Sequence, residues 1–458
     1  MVVGAKAFLV FASLFFYSWW NIAYLPLILS SMLFNYAIGS SLNSDLKKVR
    51  FSKKSILLFG ILANVSLLGY FKYADFFISN INYFSTEHMD LLHLALPLAI
   101  SFFTFQQIAY LVDSYRQETA EYDFLNYSLF VTFFPQLIAG PIVHHKEMMP
   151  QFASKWNLVK DYKNIAAGLF IFSMGLFKKV VIADTFAVWA TNGFDKAEVL
   201  NHFEAWATSL SYTFQLYFDF SGYTDMAIGA ALLFNIRLPQ NFNSPYKAKD
   251  IQDFWRRWHI TLSRFLRDYI YIPLGGNRVG EFRILSNLMI TFVIGGLWHG
   301  AGWTFVFWGF LHGAALVIHR IWKNLGFKMN AILAWFITFN FINIAWVFFR
   351  AKEWDDALKV LHGMFFGQLM LPEKFASKVA FLSDWGVEFG FVFEHIQGKE
   401  KTVTFLVLAF IITLVFKNSS YLKDAFTTSY KNLLFTLILL FTAISMMSTV
   451  SEFLYFNF

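Results

Sequence analysis

Apolar runs separated by short polar breaks recur along the whole chain. They lie near residues 5–20, 23–41, 55–73, 95–113, 126–142, 164–190, 205–218, 224–236, 284–298, 302–322, 330–349, 402–416 and 432–449. A bilayer core is crossed by roughly 20 apolar residues in a helix, and most of these runs reach or approach that length. The pattern predicts an all-α, polytopic integral membrane protein with about 10–12 transmembrane or re-entrant helices. Runs in the middle, such as 205–218 and 224–236, are short or interrupted by polar residues, which predicts tilted or re-entrant segments lining a cavity. One stretch differs in kind. In IQDFWRRWHITLSRFLRDYIYIPL the residues Phe254, Trp258, Leu262, Phe265 and Tyr269 recur at helical spacing among Arg256, Arg257, Arg264 and Arg267. That predicts a basic amphipathic helix on or dipping into one membrane face.

Composition agrees with a membrane solvent. Of 458 residues, 57% are hydrophobic and 15% charged, with 59 Phe and 15 Trp, against about 25% charged in soluble domains. A single membrane domain spanning 1–458 is expected, with no leader peptide cleaved at an A-x-A-like site. The absence of cysteine excludes thiol nucleophiles, thiolate metal sites, disulfides and palmitoylation. A net charge of +7 is read as Lys/Arg enrichment in cytoplasmic loops rather than as a nucleic-acid surface. Residues 45–54 hold five Lys/Arg and one Asp, so that loop is assigned to the cytoplasm, and the acidic loop 74–94 to the outside. The basic stretch 247–283, with eight Lys/Arg against four Asp/Glu, falls on the cytoplasmic face by the same rule. The segment 371–400 is expected to be an extramembrane loop.

Candidate chemistry centres on histidine. Of eleven histidines, His299 alone ends an almost purely apolar run, LMITFVIGGLWHGAGW, with glycines on both sides that let a substrate approach closely. An ionisable residue at membrane depth is a functional hypothesis by default, and a neutral imidazole can take a proton from a hydroxyl. The competing reading is a buried structural histidine bonded to a neighbouring helix. His312 and His319 read as structural, and no metal site is indicated. For His259, in RRWH, an interfacial role competes with one in the site. Asp219 and Asp225, in QLYFDFSGYTDM, could orient a histidine, bind a polar acceptor or cap two half-helices meeting at Ser221, Gly222 and Tyr223. Walker-type and dinucleotide-binding glycine loops are absent from the sequence.

Four stretches taken in order resemble the membrane-bound O-acyltransferase family, most closely its alginate O-acetylase and polysaccharide O-acetyltransferase branch. They are FFPQLIAGPIV (133–143), YFDFSGYTDMAIGAALLFNIRLPQNFNSPY (217–246), DFWRRWHITLSRFLRDYIYIPLGGNR (253–278) and GGLWHGAGWTFVFWGFLHG (295–313). The resemblance implies helices around a central acyl-transfer tunnel, with 133–313 as the motif core. It implies that His299 is the intramembrane catalytic histidine, acting as general base on the acceptor hydroxyl. His259 takes the branch's second histidine position, toward the donor end, where it holds or polarises the thioester. Asp219, Tyr223, Asp225, Asn243, Arg257, Trp258 and Trp298 are expected along the substrate path. No tightly bound cofactor is implied; the donor is acetyl-CoA or another acyl thioester, for which the basic helix is a suitable partner.

Implied partners are a polysaccharide acceptor, a periplasmic SGNH-type or similar acetyltransferase that completes the transfer, and membrane lipids. The expected location is multi-pass in the bacterial inner membrane. Two departures stand out. The family usually carries another apolar segment before the region matched here by SWW at 18–20, so a truncated or misassigned start at Met1 is expected. Its GPI motif is usually followed by arginine, where this chain has His144 and His145. Alginate-like exopolysaccharide and peptidoglycan both stay open as acceptors, with D-alanyl transfer to teichoic acid close behind. A lipid or glycan transporter, with the buried histidine relaying protons, is the reading from another class.

Overall fold

At the centre lies one unbroken helix, His202–Leu232, in which 24 of 31 residues are buried. It starts with a reciprocal cap between Asn201 and Glu204. The expected break at Ser221–Tyr223 is not there. Gly222 instead serves helix packing: a Cβ on it would sit 2.8 Å from the carbonyl oxygen of Gly175, in the long helix Tyr162–Lys196. One turn pair away, Gly229 meets Gly168 in the same manner. Small residues at these crossings let two backbones touch, as membrane helices require where lipid offers no hydrophobic drive.

The computed structural model describes residues 3–43, 51–119, 123–447 and 454. Most of the basic loop read at 45–54 therefore lies outside the described residues. Among the described residues six helices are long and apolar enough to span a bilayer: Ile22–Asn43, Lys53–Phe84, Tyr162–Lys196, Glu281–His299, Trp303–Asn324 and Ala331–Arg350. The other apolar runs form shorter helices packed among these, including Val3–Trp20, Ile100–Tyr115, Phe124–Thr132, Glu400–Leu414 and Tyr430–Ser445. Each helix turns a different surface inward. Ala331–Arg350 buries Phe339, Ile342, Trp346 and Phe349 on one face, while Ile332, Phe336 and Ile337 stay exposed for lipid.

Two runs end differently from the sequence reading. The helix from Lys53 passes through a π turn at Gly69–Tyr73 and continues to Phe84, so the first eleven residues of the expected loop 74–94 are helical. The run 126–142 divides into Phe124–Thr132, a single turn Phe134–Leu137 and an extended Pro141 segment. The segment 371–400 contains short 3-10 turns and a parallel pair, Met370–Pro372 with Glu388–Gly390.

Polar contacts gather at the two ends of the bundle. At one end Arg116 meets Asp268 O, Arg264 pairs with Glu147, Arg320 with Glu281, and Lys247 reaches Phe416 O. At the other, Arg350 pairs with Asp195, His395 with Glu204, and His202 N donates to Gln368 O. The stretch 247–283 thus belongs to the arginine-rich end.

Candidate active site

His299 is the last residue of the helix Glu281–His299 and is only 4% exposed. The next residue, Gly300, is extended, and the Gly300–Gly302 bend returns the chain into Trp303–Asn324. Close packing of these two helices needs Gly296 and Gly309, where a side chain would collide with the opposite backbone. The hairpin sets the His299 ring edge-on to Trp308, at 5.2 Å between centroids, with Phe349 at 5.0 Å and Trp298 at 4.8 Å. Beyond Trp308, at 4.7 Å, lies His312. Beyond Trp298, at 6.4 Å, lies His259. Three buried histidines and two tryptophans thus alternate in one chain of ring contacts through the core.

His259 is fully buried, contrary to an interfacial place for it. The single amphipathic helix read from the Phe254–Tyr269 spacing is divided, with helices Ile251–Trp255 and Ile260–Leu266 and His259 between them in a left-handed conformation at φ 42°. That bend turns the ring inward against Phe220 of the central helix, 4.7 Å away. Its Nδ1 lies 3.1 Å from Asn241 Oδ1, which also receives the Thr261 backbone N–H at 3.2 Å and the Thr261 hydroxyl at 2.9 Å. A backbone N–H can only donate, so the shared amide atom is the oxygen and His259 Nδ1 carries the proton. Nε2 is left with a lone pair and has no partner among the described residues. Thr261 in turn accepts from Ile142 N at 3.0 Å. The GPI, LPQN and RWH motifs, far apart in sequence, meet in this one network.

His312 has the opposite arrangement. The Trp255 indole N–H donates to its Nδ1 at 3.1 Å, which places the proton on Nε2. The indole nitrogens of Trp298 and Trp308, both buried, have no hydrogen-bond partner among the described residues.

The other expected substrate contacts divide into two groups. Trp298 and Trp258 belong to the aromatic core: Trp298 stacks on Phe105 at 4.9 Å, and Trp258 packs on Trp346 at 5.0 Å. Tyr223 packs between the two hydrophobic clusters of the bundle. The two acids do not reach a histidine by any hydrogen bond or ion pair among the described residues. Asp219 pairs with Lys179 at 2.7 Å and Asp225 with Lys178 at 2.6 Å, so both tie the central helix to the π turn Lys178–Ala183. Arg257 and Asn243 lie toward the surface, where Arg257 pairs with Asp253 at 2.8 Å and Asn243 accepts from Asn418 at 2.9 Å. Their sequence neighbour Asn241, and Thr261, are the polar residues that touch the histidine. Asparagine every second residue in an extended segment puts one inward and one outward, and the sequence alone left the phase open.

A further pair was invisible as site residues. Lys72 Nζ donates to the carbonyls of Trp298 at 2.6 Å and His299 at 3.1 Å, and the Tyr73 hydroxyl donates to Leu297 O at 2.5 Å. A cavity of about 310 Å³ lies here, lined by Lys72, Asp75, Leu94, Gly300, Ala301 and Phe305. A larger hollow of about 1120 Å³ lies between Met370–Phe375, Phe391 and Val403. Neither hollow has a buried histidine in its wall, but the smaller one is lined by Gly300 and Ala301, the residues that directly follow His299, and is the nearer to the site. Among the described residues no cluster of three or more His, Cys, Asp or Glu is arranged to hold a metal ion.

His144 and His145 also find a place. His144 Nδ1 is 3.1 Å from the Tyr269 hydroxyl, which donates to Asp113 at 2.8 Å, while His145 packs on Tyr110 and Phe130. Both brace the His145–Ala153 helix against its neighbours and stand apart from the line of buried rings.

The sequence profile of the membrane-bound O-acyltransferase family matches residues 12–352. The chain is 53% identical to the peptidoglycan O-acetyltransferase of Helicobacter pylori, over 99% of this chain and 91% of that protein. It is 42% identical to the probable alginate O-acetylase AlgI of Pseudomonas aeruginosa, over 80% of this chain and 71% of the other. The teichoic acid D-alanyltransferase of Bacillus subtilis is more distant, 26% identical over 56% and 69%. With its apolar helices and its buried histidine line, the chain is a multi-pass membrane enzyme belonging to the membrane-bound O-acyltransferase family.

Proposed function

We propose that this enzyme moves acetyl groups from a cytoplasmic acyl thioester, such as acetyl-CoA, across the membrane for O-acetylation of an extracytoplasmic polysaccharide. The observation that carries the reading is the burial of His299 at a helix end, beside a cavity walled by Gly300 and Ala301 and separated by the Trp298 ring from a second histidine whose proton position is set. The imidazole of His299 takes the acceptor's hydroxyl proton as the oxygen attacks the acyl carbon. The carbon–sulfur bond breaks and the thiolate leaves. The indole N–H groups of Trp298 and Trp308 flank His299 and are available to a reactant oxygen. His259 stands toward the donor end. Since its one N–H is committed to Asn241, the neutral ring offers a lone pair, which suits holding a donor N–H better than polarising a thioester carbonyl.

Peptidoglycan is the preferred acceptor, because the Helicobacter pylori relative covers nearly the whole chain at 53% identity. An alginate-like exopolysaccharide is the second reading, supported by the AlgI relative. A periplasmic SGNH-type or similar acetyltransferase would complete transfer to the polymer. The inner membrane is the compartment that joins a cytoplasmic thioester to such an acceptor, with the arginine-rich end of the bundle facing the cytoplasm.

The test is polymer-bound acetate released by mild base from cells carrying wild type, His299→Ala or no copy, at matched expression. Restoration by wild type with no acetate above the empty control for His299→Ala is expected, and the fraction holding the acetate names the acceptor. Normal acetylation by His299→Ala would reopen the transporter reading.

A further inference from the structure

A helix end leaves carbonyls without intrahelical partners, and inside a membrane such groups are costly. The helix that carries His299 ends in this way. It has no left-handed glycine cap, since Gly300 is extended, and the Gly300 N–H reaches Gly296 O only at 3.4 Å. The carbonyls of Leu297, Trp298 and His299 are taken up instead by two consecutive side chains of another helix: Tyr73 holds the first, Lys72 the other two. The π turn Gly69–Tyr73 is where both arise. Such turns rotate neighbouring side chains out of the ordinary helical phase and are frequent at functional sites.

We propose that Lys72 and Tyr73 are positioning residues for His299, acting on its main chain rather than on a reactant. The inference rests on the acyl-transfer reading given above. The ammonium of Lys72 has three N–H donors and three acceptors: Trp298 O, His299 O and Ser101 Oγ at 3.3 Å. With all three engaged it has no donor left for a substrate, which distinguishes a clamp from a binding contact. The clamp is itself anchored. Asp75, in the following turn, accepts the backbone N–H groups of Leu92 and His93 at 2.6 and 2.9 Å, holding the adjoining loop. Ser101 opens the helix whose Phe102 and Phe105 pack on Trp298 at 5.5 and 4.9 Å. One structural unit therefore grips the Trp298–His299 pair from both backbone and ring sides. It also walls the 310 Å³ cavity beside Gly300 and Ala301, the residues that follow His299.

The experiment compares wild type, Lys72→Met, Lys72→Arg, Tyr73→Phe and His299→Ala as full-length protein purified in detergent. Acetyl transfer from acetyl-CoA to a soluble glycan acceptor, with the periplasmic acetyltransferase partner present in excess, is measured per folded molecule, with folding read by thermal unfolding. A displacement near 1 Å at a reacting group costs about 100-fold in rate, so Lys72→Met is expected to lower kcat about 100-fold with both KM values within about twofold. Tyr73→Phe, which loses one of the bonds, is expected to cost about 3–10-fold, and Lys72→Arg, which keeps a cation, to recover at least tenfold over Lys72→Met. Wild-type kcat per folded molecule in Lys72→Met and Tyr73→Phe overturns the proposal. So does a raised KM at unchanged kcat, the mark of a substrate contact. Should Lys72→Met not fold, Tyr73→Phe and Lys72→Arg carry the same decision. His299→Ala at wild-type turnover sinks the general-base reading and this inference with it, whereas its loss beside an active Lys72→Met sinks this inference alone.

Discussion

Asn241→Leu separates the proton position of His259 from the presence of the ring. Leucine keeps the heavy-atom branching of asparagine at a larger volume, so the change removes the amide oxygen and leaves no cavity. That oxygen receives three donors: Thr261 N–H, the Thr261 hydroxyl and His259 Nδ1–H. The hydroxyl still accepts from Ile142 N and can turn. The two N–H groups are left unpaired in a region where Asn241, His259 and Thr261 are at most 1% exposed. Each orphaned donor costs about 1–3 kcal/mol, giving about 2–6 kcal/mol. The Asn241 amide nitrogen has no partner of its own among the described residues, so its removal returns about 1–3 kcal/mol. A net loss of about 1–3 kcal/mol follows, which a protein with about 5–15 kcal/mol of stability survives. Activity should suffer more. The ring can shed one orphan by moving its proton to Nε2, but the lone pair then sits on the wrong nitrogen. Loss of the partner that orients a metal-bound histidine costs about 10–100-fold, and a cost of about tenfold or more is expected for this ring. The assay is acetyl transfer per folded molecule in detergent, alongside thermal unfolding. Turnover within twofold of wild type, at whatever stability, would refute the reasoning, since the proton position would then not matter.

The neighbouring asparagine is the internal control: Asn243→Ala should leave turnover within about twofold, because Asn243 is exposed and bonds Asn418 rather than a histidine. Lys179→Met should lower stability by about 3–5 kcal/mol, seen as a drop in unfolding temperature. It strands Asp219, whose side chain is 1% exposed. The double change Lys179→Met with Asp219→Leu should recover most of that loss, and an unfolding temperature equal to wild type in the single variant would show that the pair carries no stability.

Much of this enzyme was legible in one dimension. Apolar runs of spanning length specify helices whatever their neighbours, since in lipid the backbone must satisfy its own hydrogen bonds. A histidine at the end of such a run is conspicuous because burial of an ionisable group is costly. His299 therefore stood out, and the ordered motifs pointed to the family. Short-range pattern could not decide continuity. Ser221-Gly222-Tyr223 resembles a break, yet Gly222 permits contact with Gly175, a property of two helices and not of one. RRWHITLSRF has a helical period, yet the left-handed turn at His259 divides it, and that turn is what points the ring inward. Partners were the least legible of all. Asp219 and Asp225 look like site residues until Lys179 and Lys178 are brought against them from 40 and 47 positions away. Lys72 looks like a charge at the end of the apolar run 55–73 until the π turn places it at the carbonyls of Trp298 and His299, more than 220 positions downstream. Charge type and burial tendency are properties of a residue. Which carbonyl an ammonium satisfies, and which nitrogen of a histidine holds the proton, depend on atoms that only the packed helices bring together.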